Sequence, residues 1–440
     1  MQSNLQRSVA LYARPLWILL AVSAPTEAAT VFLWSGAVTD SSLRVTAKTD
    51  DPSSVVRLAL APDSTFTSPA FTEPDAMTPV SGGMIYSFSL SNLAPDQGFV
   101  YALEEDGSID LSTIGSCRTF PAGQVSFTFA FASCSWTGSN HPVFSEIAKR
   151  RPLFFLHLGD MHYENIGVND PNRFRTALER ALLSPSQSEL HRGLPLDYVW
   201  DDHDYGPNNS DSTAPGRVAA RSVYREYFPH YPLVEGDDTA AAIYHTFDVG
   251  RVRFIVCDSR SARSPASAQD VPGKTMLGAT QKAWFKQQLL AARDAGKLIV
   301  WVNTLPWIGE TGDDGWHLYT HERRELANFI ADNRITNLCM ISGDAHMLAI
   351  DNGANSDYSD NGGAGFPVMH SAPLDRLPSA KGGPYSEGVV LASAGQFGTM
   401  TVTDLGDSLR VLWQGWRMGE EFMRFQFAFA MRSCPAEYLC

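Results

Sequence analysis

Short apolar runs recur along this chain, and four of them end abruptly in residues able to bind a cation. Residues 125–131 lead into Ala132-Ser133-Cys134, and residues 153–158 into Gly159-Asp160-Met161-His162-Tyr163. Residues 196–200 lead into Asp201-Asp202-His203-Asp204, and residues 336–341 into Ser342-Gly343-Asp344-Ala345-His346. Apolar runs of this length, bounded by turn residues, read as buried strands.

The texture changes near residue 120. Between 30 and 120 the strand candidates 31–34, 43–47, 55–60, 84–90 and 98–103 are punctuated by Pro, Gly, Asp and Ser, which predicts a small antiparallel sandwich. From 125 onward, strands alternate with the helical stretches 141–151, 172–183, 279–295 and 321–333. Such alternation predicts an α/β core, with two packed sheets as an alternative to one. Residues 349–384, rich in Gly, Asn, Asp, Ser and Pro, read as a long surface excursion beside the site, and 418–431 as a terminal helix with a Phe-rich face. The expected organisation is a signal segment over 1–29, a β-sandwich domain over 30–120, a catalytic domain over 125–415 and an extension over 416–440.

The 440 residues include 44% hydrophobic and 19% charged side chains, ordinary for a chain with a sizeable core. A net charge of -14 argues against specific nucleic-acid binding. Arg7 and Arg14, the apolar run 16–22 and the small residues 24–29 read as a cleaved secretory signal, without the paired arginines of a twin-arginine leader. The expected location is therefore secreted or extracytoplasmic (periplasm, cell surface or secretory pathway), with no transmembrane anchor after cleavage. Export permits disulfides; Cys434 and Cys440 are a candidate local pair, while Cys257 and Cys339 lie in apolar runs and read as buried thiols.

Ligand sites in α/β proteins gather at the carboxyl ends of strands. A thiol, several carboxylates, a phenol and two imidazoles delivered there point to a polynuclear metal site, which most often hydrolyses phosphate esters. Asp160, directly after a glycine, suits a bridging ligand, and Tyr163 suits a hard ion such as ferric iron. Cys134 is a candidate thiolate ligand. Three carboxylates within Asp201–Asp204 repel one another unless a cation or an arginine intervenes. His203 is a candidate general acid. Arg260 and Arg263, after the strand 252–257, are candidates to hold a phosphate oxygen. The segment Asp313-Asp314-Gly315-Trp316 reads as a lid, with Trp316 at an entrance. No nucleophile elbow, Walker A loop or zinc-protease helix is present.

Taken together and in this order, these motifs resemble the PhoD-type alkaline phosphatases, a branch of the metallophosphoesterases. Asn208-Asn209, Gln281, Trp284 and Trp34-Ser35-Gly36-Ala37-Val38-Thr39 add to the likeness, whereas His162 and Pro207 depart from the family pattern. The resemblance implies a four-layer α/β/β/α core behind a fibronectin-like β-sandwich. It implies phosphomonoester and phosphodiester hydrolysis by in-line attack of a metal-activated hydroxide. The cofactor implied is a dinuclear or trinuclear centre of iron with calcium, with zinc, manganese or magnesium as alternatives. Cys134, Asp160, Tyr163 and His346 would hold iron; Asp160, Asp344 and one of Asn208 and Asn209 would hold calcium. Asp202 joins the metal ligands, and His203, Arg260 and Arg263 the catalytic residues. The expected substrate is a small phosphate ester or a phospholipid. The alternative is an inactive metallophosphatase scaffold with a binding or adhesion role; hydrolysis of a non-phosphate ester is a further rival.

Overall fold

Along the strand Leu298–Asn303, Leu298, Val300 and Val302 pack into one apolar cluster, and Ile299 and Trp301 into another. That period of two, with both faces buried, is the pattern of a sheet covered on each side. The structure, a computed structural model, describes residues 29–236 and 241–431. The expected signal segment and the Cys434–Cys440 pair lie outside these residues, Ala29 excepted.

Leu298–Asn303 belongs to a seven-stranded sheet, in which it pairs in parallel with Val252–Val256 and Leu338–Ser342. On one side of this sheet lie the helices Gly278–Asp294 and Thr320–Asp332, through Phe285, Leu289, Leu326 and Ile330. On the other side lies a ten-stranded sheet. Phe129 and Phe154 meet Phe254 edge-on, at 5.1 and 5.6 Å between ring centres. At the middle of the ten-stranded sheet, Phe127–Ala132, Phe155–His157 and Leu196–Tyr198 run parallel, with Phe131 beside Leu156 and Leu156 beside Asp197. The carboxyl ends of these strands and of the seven-stranded sheet supply the acidic motifs.

The N-terminal strands divide between two sheets. Thr30–Gly36, Leu43–Thr49, Gly83–Leu90 and Ala76–Val80 extend the ten-stranded sheet, entered where Gly36 pairs with Leu196. Val56–Ala61, Ala70–Thr72, Gly98–Glu105, Ser108–Ile109 and Gly115–Arg118 form a separate five-stranded sheet. The Trp34 indole donates to the Tyr227 carbonyl at 2.9 Å, tying this region to the rest.

Two expectations are corrected. The stretch 418–431 is not a helix: Glu420–Ala430 is an edge strand paired along Ser408–Arg417. Met423, Phe425, Phe427 and Phe429 face inward while Arg424, Gln426 and Ala428 face out, a period of two in the sequence itself. Residues 349–384 are not one surface excursion either, because the strands Leu348–Asp351 and Val368–Ser371 reach into them and are fully buried. Cys257 and Cys339 are buried thiols, as expected. Among the described residues no helix is long and apolar enough to cross a membrane.

Candidate metal centre

Three candidate ligands sit where a side chain is costly to place. Cys134, Asp160 and Asp344 each follow a strand and each adopt the left-handed backbone conformation, at φ of 66°, 56° and 56°. Non-glycine residues pay strain there, and such positions concentrate at functional sites. The loops are also pressed together. A Cβ on Gly159 would lie 2.5 Å from the Asp201 Cβ, and one on Gly343 2.8 Å from the Leu158 carbonyl oxygen. Both positions therefore need glycine.

Ligand atoms of Cys134, Asp160 and His346 converge within 4.8 Å, as do those of Asp160, Asp202 and His203, and of Asp201, Asp202 and Asp344. Asp160 is shared by the first two groups and Asp202 by the last two. Cys134 Sγ lies 3.6 Å from Asp160 Oδ2, and the Tyr163 hydroxyl donates to the same oxygen at 2.7 Å. Tyr163 Oη is also 3.1 Å from His346 Nε2. His346 Nδ1 lies 2.7 Å from the Leu377 carbonyl, an acceptor only, so Nδ1 carries the proton and the Nε2 lone pair faces the cluster. His203 is fixed in the same way. Its Nδ1 lies 2.8 Å from Asn165 Oδ1, while the Asn165 amide group donates to the Tyr163 carbonyl, leaving Nε2 free to ligate.

These residues fit a metal. Asp201 Oδ2 and Asp202 Oδ1 are buried without a hydrogen-bond partner among the described residues, a costly state for a carboxylate. Burial, then the charges of Asp202, Asp201 and Asp204, push the Asp160 carboxyl well above its usual range. Burial pushes Asp344 up to about 6 even though Lys381 Nζ bonds both its oxygens, at 2.8 and 3.0 Å. A bound cation would relieve each of these costs at once.

Other acidic residues are structural. Asp204 accepts the backbone N–H groups of Asp160, Met161 and Asp201 at 2.6, 2.9 and 3.1 Å, clamping the Asp160 loop. Asp258 accepts from the Trp200 indole and from the N–H groups of Ile243, Arg260 and Ser261.

Arg260 and Arg263 are not presented to a substrate: both are fully buried. Arg260 Nε lies 2.6 Å from Asp201, its Nη1 2.9 Å from Asp314, and Arg263 is held by Asp314 and by the Tyr319 hydroxyl. In Asp202 the effect of burial is outweighed by Arg260 and His203, and its carboxyl is held low; Arg260 and Arg263 do the same for Asp314. Trp316 lines no entrance: it is fully buried against Trp301 and Trp307. His162 lies inside, among Phe174, Leu178 and Trp200, where burial lowers it to about 3. Asn208 is exposed, whereas the Asn209 backbone N–H donates to Asp202 at 2.5 Å. Lys381, Arg376 and Asn165 were not singled out in the sequence. They lie on irregular loops that no spacing rule ties to the strand ends.

The profile of PhoD-like phosphatases matches residues 129–375, the span that carries every motif of this cluster. This chain belongs to the PhoD-like phosphatase family. It is 24% identical over 305 residues to alkaline phosphatase D of Bacillus subtilis (strain 168), covering 58% of this chain and 52% of that protein. The chain thus spans about half the length of that curated relative. The solved structure of PhoD superimposes with a TM-score of 0.70 at 18% identity, over 91% of this chain and 90% of that one. A purple acid phosphatase from yellow lupin (Lupinus luteus) seeds superimposes at 0.62 with 12% identity, over 94% and 78%. At these identities the superpositions establish a shared mixed α/β fold with large sheets.

Proposed function

We propose that this protein is a secreted, metal-dependent phosphoesterase acting on phosphomonoesters, phosphodiesters or both. The observation that carries the reading is the convergence of Cys134, Asp160, Tyr163, His346, Asp202 and Asp344 behind four strand ends, with Asp201 Oδ2 and Asp202 Oδ1 lacking a hydrogen-bond donor among the described residues. Cys134, Asp160, Tyr163 and His346 would hold iron. Asp160, Asp202, Asp344 and an asparagine would hold calcium, with Asn209 favoured over exposed Asn208. The sheets and their outer helices are read as the α/β/β/α arrangement, and residues 30–120 as a fibronectin-like sandwich.

When bound, such a centre supplies a nucleophile at neutral pH and neutralises charge on the phosphoryl oxygens. The chain's own residues prepare it. Leu377 holds His346 in the ligating tautomer, Asn165 orients His203 with its Nε2 lone pair free, and Asp204 fixes the Asp160 loop. Burial lowers the His203 pKa, so its ring is neutral in the resting protein and its Nε2 accepts a proton. It can assist a leaving alkoxide only after taking that proton, which an anionic ester beside it would favour. Arg260 and Arg263 keep Asp202 and Asp314 ionised from behind.

The test is turnover of bis(p-nitrophenyl) phosphate and p-nitrophenyl phosphate by residues 30–440, before chelation, after it, and after resupply of iron and calcium. Metal-dependent turnover is the expected result. Absence of turnover with metal content verified would overturn the reading.

A further inference from the structure

Among the described residues, Arg260, Arg263, Lys381 and Arg376 stand around this cluster, and the first three are committed to carboxylates. Arg260 and Arg263 bind Asp201 and Asp314, and Lys381 is chelated by Asp344. Arg376 differs. Its guanidinium carbon lies 3.7 Å from the ring centre of Trp136 and 3.7 Å from that of Tyr163, a sandwich between two aromatic faces. Its Nε and Nη1 are buried and have no hydrogen-bond partner among the described residues. Stacking satisfies the faces of a guanidinium but leaves its edge, where the N–H donors point, without acceptors.

The backbone that carries Arg376 is fixed. Asp375 donates its N–H to the Cys134 carbonyl at 3.1 Å and accepts from the Ser139 hydroxyl at 2.5 Å. The Arg376 carbonyl accepts from Ala394 at 2.9 Å, and the next residue, Leu377, orients His346. One short segment therefore places a cation and sets a candidate metal ligand. Tyr163 joins the two, since its ring carries Arg376 and its hydroxyl reaches Asp160 and His346. Trp136 is 51% exposed, so the stack stands at the mouth of the cluster and not beneath it.

We infer that Arg376 binds the phosphate group of the substrate, with Trp136 and Tyr163 holding its guanidinium edge toward the metal cluster. This is the role the sequence suggested for Arg260 and Arg263, moved to a residue that has donors to spare. It rests on the phosphoesterase reading above. A preorganised guanidinium whose charge is not already paired gives charge-assisted hydrogen bonds to a phosphate, which a lysine or an arginine committed to a carboxylate does not supply.

The test is calorimetric titration of inorganic phosphate into the metal-loaded full chain, with metal content measured alongside. Arg376→Ala should bind phosphate roughly tenfold to a hundredfold more weakly at unchanged metal content. Its KM should rise more than its kcat falls. Trp136→Ala, at an exposed position, should weaken binding severalfold while leaving the melting temperature unchanged. Equal phosphate affinity in wild type and Arg376→Ala would overturn this inference and leave the phosphoesterase reading intact. Failure of the metal-loaded wild type to bind phosphate at all would overturn that reading instead. Should Arg376→Ala shed metal, Arg376→Lys decides: it keeps charge over Tyr163 but loses the planar fork, so weakened binding supports the inference and unchanged binding refutes it.

Discussion

The two halves of the acidic cluster use the same side chain at the same burial and reach opposite electrostatic outcomes. Around Cys134, Tyr163 and His346, burial and neighbouring carboxylates push Asp160 up. Around Arg260 and Arg263, Asp202 and Asp314 are held low, although burial alone would raise them, while Asp201, also bonded to Arg260, is still pushed up by its burial. The difference lies in counter-charge. Asp202 and Asp314 are offset by arginines that arrive with the folded chain, while the charges that act on Asp160 are those of other carboxylates. The first half should behave as part of the fold, and the second as a site completed by a ligand.

The sharpest way to break this comparison is to remove an arginine. Arg260→Met strips the buried ion pair from Asp201 and leaves Asp314 to Arg263 alone, and should cost about 3–5 kcal/mol of stability, read from urea unfolding. A loss near zero would mean that the arginine half is not structural. Next in size is metal removal. Chelation should abolish turnover and lower stability by about 2–3 kcal/mol at metal levels near a hundred times Kd, seen as a drop in melting temperature. Asp160→Asn should lose metal yet match or exceed the wild type once both are metal-free, because it removes carboxylate repulsion. An unchanged melting curve after verified removal would sink the idea that this half waits for a cation.

Acid should act on a third set of buried groups. Burial lowers His157 to about 3 and His191 to about 4. Unfolded, each takes a proton below about 6.5; folded, each refuses it until the pH is far lower. The stability they contribute is therefore present above about 6.5 and is lost as pH falls toward their folded values, by up to about 1.4 kcal/mol per pH unit for each histidine. Urea midpoints between pH 7.5 and 5 measure this slope, and His157→Leu should flatten it. Equal slopes in the two proteins would assign acid lability to the carboxylates instead. The smallest expected effect is that of Asn165→Ala, which frees the His203 ring. Activity should fall roughly tenfold with a shifted pH profile, and Asn165→Asp should restore part of it. An unmoved profile would mean that His203 needs no orientation.

Much of this was legible in the chain. The strand ends pointed to Cys134, Asp160, Tyr163, Asp202, Asp344 and His346 as candidates that the fold brings close together, because a buried strand followed by polar residues is a local pattern. The helices were legible too: the expected stretches 172–183, 279–295 and 321–333 correspond to Pro171–Leu182, Gly278–Asp294 and Thr320–Asp332. The terminal strand Glu420–Ala430 differs from the expected helix because its aromatic residues recur with a period of two, which suits a strand.

What the sequence by itself determined is the inventory of candidate ligand types and their delivery one to three residues after apolar runs, since both depend on neighbours along the chain. Tertiary structure alone decided which charges are balanced. Arg260 and Arg263 sit beside Asp258 in sequence but are spent on Asp201 and Asp314, some fifty residues or more away. Arg376 and Lys381 enter from a loop that carries only isolated bridges, at Asp375 and Ser379. Counter-charge is a through-space quantity falling with distance and burial, and no spacing along a chain records it.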